Sequence, residues 1–371
     1  MKYLIFCLML FTGFSVKAQL DNTAFDQKLS LSPQDSNRLY AGIRLLAFGK
    51  NNEYFETTYS GYTLFGYQLN PFVYYQVGSK LRLDVGAYLQ QDFGNDRLST
   101  FVPTLSLKFK HRDFSATIGT IEGSLHHQLV EPLYDFENVL NKRIENGLQF
   151  LVERDGLFVD TWVNWEKMIY FNDPDQERFV AGLSLNKEVL SKNDWSLSVP
   201  IQATVRHAGG QIDSNPQPLT SVFASASGFN INKSTSGFIK AFGLKSYFLT
   251  YKSLTSRIVP YKDGNGIYIN PYVQSNFGLS VMGSYWYGNE FLTNDGGQMY
   301  PVTTERYPYL VQQARILYML RFLYEKKLTT GLTLTARVEP IYDTYTSNIQ
   351  YAYGFYFNFT DRFFLGHAKE K

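Results

Sequence analysis

Hydrophobic and polar residues alternate along most of this chain. Over residues 195–206, Trp195, Leu197, Val199, Ile201, Ala203 and Val205 fall on one side of an extended strand, and Ser196, Ser198, Pro200, Gln202, Thr204 and Arg206 on the other. Those 12 residues, at roughly 3.3 Å each, span about 40 Å, about twice a usual soluble strand and enough to cross a bilayer's apolar core at a tilt of about 40°. The rhythm returns at 81–90, where Leu81, Leu83, Val85, Ala87 and Leu89 oppose Arg82, Asp84, Gly86, Tyr88 and Gln90. It returns again at 101–109, 158–166, 179–185 and 349–359.

The connections alternate too. Short turns at 78–80, 111–113, 154–156, 232–236, 275–278 and 326–331 separate hairpins joined by longer loops. The pattern predicts an all-β, antiparallel up-and-down transmembrane barrel of about sixteen strands, within roughly fourteen to eighteen, with short periplasmic turns and long extracellular loops. The first strand is expected at 39–48 and the last at 349–359. Such a sheet must close, because each unpaired backbone group costs several kcal/mol in hydrocarbon. The soluble alternative, a secreted sandwich or propeller with its apolar faces turned inward, is disfavoured by strand length and by tyrosines near strand ends such as Tyr170, Tyr287 and Tyr342.

The N-terminus adds an address. Lys2, an apolar run from Tyr3 to Val16 and the small-residue site at Ala18 read as a signal peptide over 1–18, with cleavage near Ala18/Gln19. A polar N-terminal periplasmic extension is then expected at 19–37, and a single barrel domain with a short C-terminal tail at 38–371. Cys7, the only cysteine, falls within the signal, so neither disulfides nor thiolate metal sites are available to the mature chain. The net charge of +2 becomes 2 − 2 = 0 once Lys2 and Lys17 are removed, which leaves no basic excess for nucleic acid. Aromatic residues make up 17% of the chain while its mean hydropathy is −0.23, a combination that suits a wall in which only alternate residues meet lipid.

On these strands and turns the chain resembles the porin-type outer-membrane barrels of Gram-negative bacteria, over nearly all of its mature length. The resemblance implies outer-membrane lipids and small hydrophilic solutes as partners. Such barrels commonly end on an aromatic residue, yet residues 360–371 follow Phe359, so either the last strand runs on through Phe363 and Phe364 or a polar tail follows it.

The face opposite the apolar one is expected to line the lumen. It carries Arg82, Asp84, Lys108, Asp160, Trp162 and Glu166, and further along Arg206, Arg315, Arg321, Glu325, Arg337 and Glu339. Mixed charge around a water-filled bore favours passive or weakly selective passage of small hydrophilic solutes. The alternative is a closed barrel, its charges paired and Leu317, Met319 and Leu323 filling space, that serves as a structural, accessory or surface-binding subunit beside an outer-membrane partner protein. The non-alternating stretch 121–146 is a candidate constriction loop carrying His126, His127, Glu131, Asp135 and Glu137, with a surface cap as the alternative.

Trp162 with Asp160, Asn164 and Glu166 would suit a sugar ring and its hydroxyls. The adjacent His126 and His127 are poorly placed for one metal ion and read as solvated loop residues. Acidic loops at 172–177 and 294–297 lack an ordered ligand pattern, and no cofactor or metal site is expected. A hydrolase would need a serine and a histidine, or paired carboxylates, brought together near the rim, and no nucleophile motif points to one, so the chain is expected not to be an enzyme, with a rim hydrolase as the alternative.

Overall fold

The computed structural model describes residues 22–55, 58–255, 259–293, 295–304 and 310–367, so the expected signal peptide lies outside the described residues. The wall consists of β1 (Arg38–Glu53), β2 (Tyr62–Val77), β3 (Leu81–Asp92), β4 (Thr100–His111), β5 (Phe114–Thr120), β6 (Asn146–Arg154), β7 (Leu157–Lys167) and β8 (Arg178–Lys192). It continues through β9 (Trp195–Ala208), β10 (Thr220–Ser234), β11 (Ile239–Ser253), β12 (Asp263–Ser275), β13 (Leu279–Asn289), β14 (Ala314–Thr329), β15 (Leu332–Asp343) and β16 (Asn348–His367). Each strand pairs antiparallel with its sequence neighbours, and β1 pairs with β16, so these 16 strands form a closed barrel with no free edge.

Burial along each strand shows which face meets which surroundings. On β9, Ser198, Pro200, Gln202 and Thr204 are buried while Ile201 is 45% exposed; on β4, Phe101, Leu105, Leu107 and Phe109 are exposed while Ser106 and Lys108 are buried. Polar residues inside and apolar residues outside is the reverse of a soluble sandwich, and it is what a wall facing acyl chains requires. The last strand runs on through Phe363 and Phe364, which pair with Ala41 and Tyr40 on β1. β1 itself continues to Glu53, beyond the expected end at Phe48.

Three segments occupy the inside. The first is the N-terminal stretch before β1, where Phe25 sets its ring edge-on to Phe136 (5.3 Å between centroids) and Tyr356 (5.1 Å). The second is the connection between β5 and β6, with a turn of 3-10 helix at Ser124–His127 and a short helix, α1 (Asn138–Asn141). Its near-helical apolar residues Leu129, Leu133, Phe136 and Leu140 are all buried. The third is the connection between β13 and β14, whose Phe291, Tyr300 and Val302 pack with Trp286 and Leu317 from the wall. The barrel therefore has a hydrophobic core of its own, made by these insertions against inward-facing wall residues.

Gly182 on β8 shows how the wall makes room. A Cβ there would sit 2.2 Å from the Trp162 ring, so only glycine lets the indole lie flat on the neighbouring strand. Gly182→Val is expected to displace Trp162 and to destabilise the protein by about 1–3 kcal/mol, measured as a lower urea midpoint for loss of the heat-modifiable folded band on a gel. An unchanged midpoint would contradict this packing.

Candidate functional site

The inward charges are buried and bound to the inserted segments. On β3, Arg82 holds Asp84 (Nη2 to Oδ1, 2.6 Å), donates to the Ser30 carbonyl (2.6 Å) and lies over the Tyr74 ring. Lys108 on β4 pairs with Glu122, whose other oxygen accepts the Leu29 backbone N–H at 2.5 Å. Glu122, two residues ahead of the 3-10 turn, and the N-terminal stretch are thereby tied to the same part of the wall.

His127 is the next anchor. Its Nδ1 is 2.8 Å from Asp160 on β7, its Nε2 is 3.0 Å from Glu145, and its ring stacks on Trp162 with 3.6 Å between centroids. Two expectations are corrected here. His126 and His127 are not solvated: they are 3% and 0% exposed, and His126 is bonded to Asp26 at 3.0 Å. Nor is Trp162 an open platform for a sugar, because the imidazole already covers its face. The physical reason is the same for both, since a histidine buried between carboxylates is satisfied without water.

Burial opposes a charge on His127, but Glu145 and Asp160 outweigh it and raise its pKa from 6.5 to about 9. A folded-state pKa above the unfolded one gives stability that is complete below about pH 6.5 and is lost as pH rises through about 9. The folding stability is thus expected to fall between pH 7 and pH 10 by an amount on the order of 3 kcal/mol, read as a lower thermal midpoint, and His127→Gln is expected to remove that slope. A flat profile in the intact protein would contradict the assignment.

A second polar knot lies deeper along β14 and β15. Arg321 donates to Glu339 (3.0 Å), to the hydroxyls of Tyr268 (2.7 Å) and Tyr300 (2.9 Å), and to Glu131 of the β5–β6 connection. Arg337 bonds the same Glu339 oxygen at 2.8 Å and lies over the Phe136 ring. Nearby, Glu137 binds Lys50 and Asn52 of β1, and the Asp135 carboxylate accepts the Glu137 backbone N–H at 3.0 Å. Arg315 joins Asp343 (3.0 Å) to the Pro301 carbonyl (2.7 Å). Arg206 bridges Glu166 and Asp295 where β9 nears its end, while Glu325 sits half-buried beside the turn into β15. The structure thus brings Arg321, Arg337, Glu339 and Glu131 together, and leaves Arg82/Asp84, Lys108, Asp160/Trp162, Arg206/Glu166 and Glu325 in separate places.

Small cavities lie among these groups. Cavities of about 30 Å³ beside Lys50, Glu131 and Arg337 and about 50 Å³ beside Arg44, Asp84 and Arg143 each have room for a few waters. In place of the expected water-filled bore, the described residues form a packed and paired interior.

One polar pair lies on the opposite, lipid-facing side. His207 and Ser221 are register partners on β9 and β10, and the His207 Nδ1 is 2.8 Å from the Ser221 Oγ. Alternate residues 198–204 on β9 are buried, so odd-numbered His207 faces outward. Its ring stacks on Phe179 of β8 (5.0 Å), which stacks in turn on Trp165 of β7 (5.2 Å). The pair flanks the long connection between β9 and β10, at the end of the barrel that carries the long loops and faces outside. The alternation that marks β9 in the sequence stops at Arg206, two residues before the strand's end at Ala208, which leaves His207 reading as loop. The signal that finds it is hairpin register, in which the last outward residue of one strand meets the first of the next.

The chain is similar in structure to several outer-membrane proteins. It matches Acinetobacter baumannii OccAB3 (TM-score 0.50, 12% identity, 88% of this chain and 99% of that one). It likewise matches a loop-L8 deletion mutant of Vibrio cholerae OmpT (0.52, 12%, 87% and 99%) and Pseudomonas aeruginosa OpdK (0.51, 10%, 88% and 100%). These likenesses establish the porin-type outer-membrane β-barrel fold. No curated protein sequence matches the chain. The family model for lipid A 3′-O-deacylase-type proteins matches residues 31–368. The name is that of an enzyme family, and the expectation that the chain is not an enzyme is overturned by it. With that match running from just before β1 to the end of β16, the chain belongs to the lipid A 3′-O-deacylase-type family.

Proposed function

We propose that this protein is an outer-membrane hydrolase that removes an ester-linked acyl chain from a lipid A-type glycolipid, working at the outer leaflet and not through its lumen. The observation that carries the reading is the packed interior: the polar face that would line a solute path is engaged with the inserted segments instead. Family membership supplies the reaction class. The geometry supports the location, because the aromatic row Trp165, Phe179 and His207 belongs at a membrane–water interface, the depth at which a glycolipid's ester carbonyls lie.

Passive or weakly selective passage of small solutes has less support, since it needs the insertions to leave the barrel. An accessory or surface-binding role beside a partner protein draws on the same closed interior but leaves the family's chemistry unused. The reading includes outer-membrane lipids as partners and the outer membrane of a Gram-negative bacterium as the address, reached after cleavage near Ala18/Gln19.

Mass spectrometry of lipid A from cells expressing the full-length protein tests it. The expected result is a species lighter by one acyl chain, present only with the protein. Unaltered lipid A beside a correctly inserted barrel would overturn the reading.

A further inference from the structure

We propose that Arg44 and Arg143 form a binding site for one small tetrahedral oxyanion, of the phosphate or sulfate class, held inside the barrel between the N-terminal stretch and the β5–β6 connection. The site does not rest on the function proposed above. Inward bases elsewhere are matched by acids, as Arg82 is by Asp84, Lys108 by Glu122 and Arg315 by Asp343. Arg44 and Arg143 depart from this pairing: among the described residues neither makes an ion pair, and their hydrogen bonds go to neutral oxygens.

Arg143 is 8% exposed. Its Nη2 donates to the Phe25 carbonyl (2.5 Å) and its Nη1 to the Gln68 amide oxygen (3.4 Å). The Gln27 amide oxygen, turned toward the guanidinium, accepts from Nη2 (3.0 Å) and Nε (3.1 Å). Arg44 lies on the inward side of β1, between the buried Gly42 and Leu46. Its Nη1 donates to the Asn70 amide oxygen at 2.9 Å, and its guanidinium covers the Phe72 ring at 4.2 Å. Gly42 makes room for that ring, because a Cβ there would lie 2.3 Å from it. The carboxylates nearby are engaged elsewhere. Asp84, which lines the same cavity, is gripped by Arg82 through Nε (2.7 Å) and Nη2 (2.6 Å), while Lys108 holds Glu122 and His126 holds Asp26.

Both guanidiniums line one cavity of about 50 Å³, to which Thr104 of β4 adds a hydroxyl. At about 10–15 Å³ for each water, that is space for roughly four water-sized groups, as many as a phosphate has oxygens. Two like charges facing one buried space repel, and a buried cation without a counter-charge is costly. An oxyanion between them relieves both penalties, and the guanidinium fork suits its oxygens. A glycolipid headgroup, with a sugar ring behind its phosphate, exceeds this volume, so the ligand is the free ion. Phe25 and Leu29 of the N-terminal stretch and Ile121 and Ile144 of the connection border the same space, and the bound ion therefore fastens both insertions to β1.

Equilibrium dialysis of the intact, detergent-folded protein against radiolabelled orthophosphate tests the site, using protein purified without phosphate or sulfate. The thermal midpoint is read in parallel, with ionic strength matched by sodium chloride. One phosphate is expected to bind per barrel, to be displaced by sulfate, and to raise the midpoint where chloride does not. Arg44→Gln and Arg143→Gln are each expected to weaken binding at least about tenfold and to flatten the response of the midpoint, both keeping the folded gel band. If one variant does not fold, the other variant and the wild-type stoichiometry decide. Wild-type protein that binds no phosphate at millimolar concentration overturns the site, as does binding indifferent to both substitutions. If a phosphorylated lipid A raises the midpoint through Arg44 and free phosphate does not, the arginines take a headgroup and the free-ion site falls.

Discussion

Replacing Arg321 with methionine is expected to destabilise the folded barrel by about 3–5 kcal/mol, the largest effect of any single substitution considered. Arg321 is 3% exposed and serves Glu131, Glu339, Tyr268 and Tyr300 at once. Its removal leaves Glu131 without its strongest partner and Glu339 with Arg337 alone, inside the barrel. The cost is that of stranded charge, so the double variant Arg321→Met with Glu131→Gln is expected to recover part of it. Arg321→Lys is expected to recover little, because a single ammonium cannot span four acceptors. Urea titration followed by the heat-modifiable gel band measures all three. A loss under about 1 kcal/mol for Arg321→Met would mean that the knot is not a buried one.

Deleting residues 124–144 and joining the ends with a short Gly-Ser turn is expected to leave the wall folded and to open a steady ion-conducting path. The deleted stretch contributes Leu129, Val130, Leu133, Phe136, Val139 and Leu140, each at most 3% exposed, to a core that none of the wall's ladder hydrogen bonds depends on. Without it Asp160, Arg321 and Arg337 face water, and such a polar lumen conducts. Planar-bilayer recording of the variant checks this. A folded variant that stayed silent would show that the other two insertions suffice to seal the barrel.

How much of this was legible in the chain follows from the period of each part. The wall was legible because a strand's side chains alternate with period two, and lipid outside and polar contacts inside impose that alternation on β3, β4, β9 and β16 alike. It faded where the chemistry on the two faces converges. Gly49 to Glu53 continue β1 in the ladder, yet they read as loop because Lys50, Asn51 and Asn52 are polar on both sides.

The interior was only half legible. The apolar spacing of Leu129, Leu133, Phe136 and Leu140 marked 121–146 as something other than a strand, but its partners come from β1, β4, β7, β9 and β14, and no local pattern encodes such distant pairings. For the same reason two histidines that look solvated by residue type are buried, their carboxylate partners lying as far away as Asp26 and Asp160. The Ser221–His207 pair escapes the sequence because the alternation ends two residues short of β9's boundary at Ala208.

Single-channel recording of the intact wild-type protein, folded in detergent and inserted into a planar bilayer, bears most directly on a barrel whose inside is packed and whose chemistry faces the membrane. The expected trace is flat at neutral pH, with no sustained conductance while folded protein is demonstrably inserted. A stable, ohmic open state under those conditions would contradict the filled interior and return the molecule to the solute channels whose fold it shares.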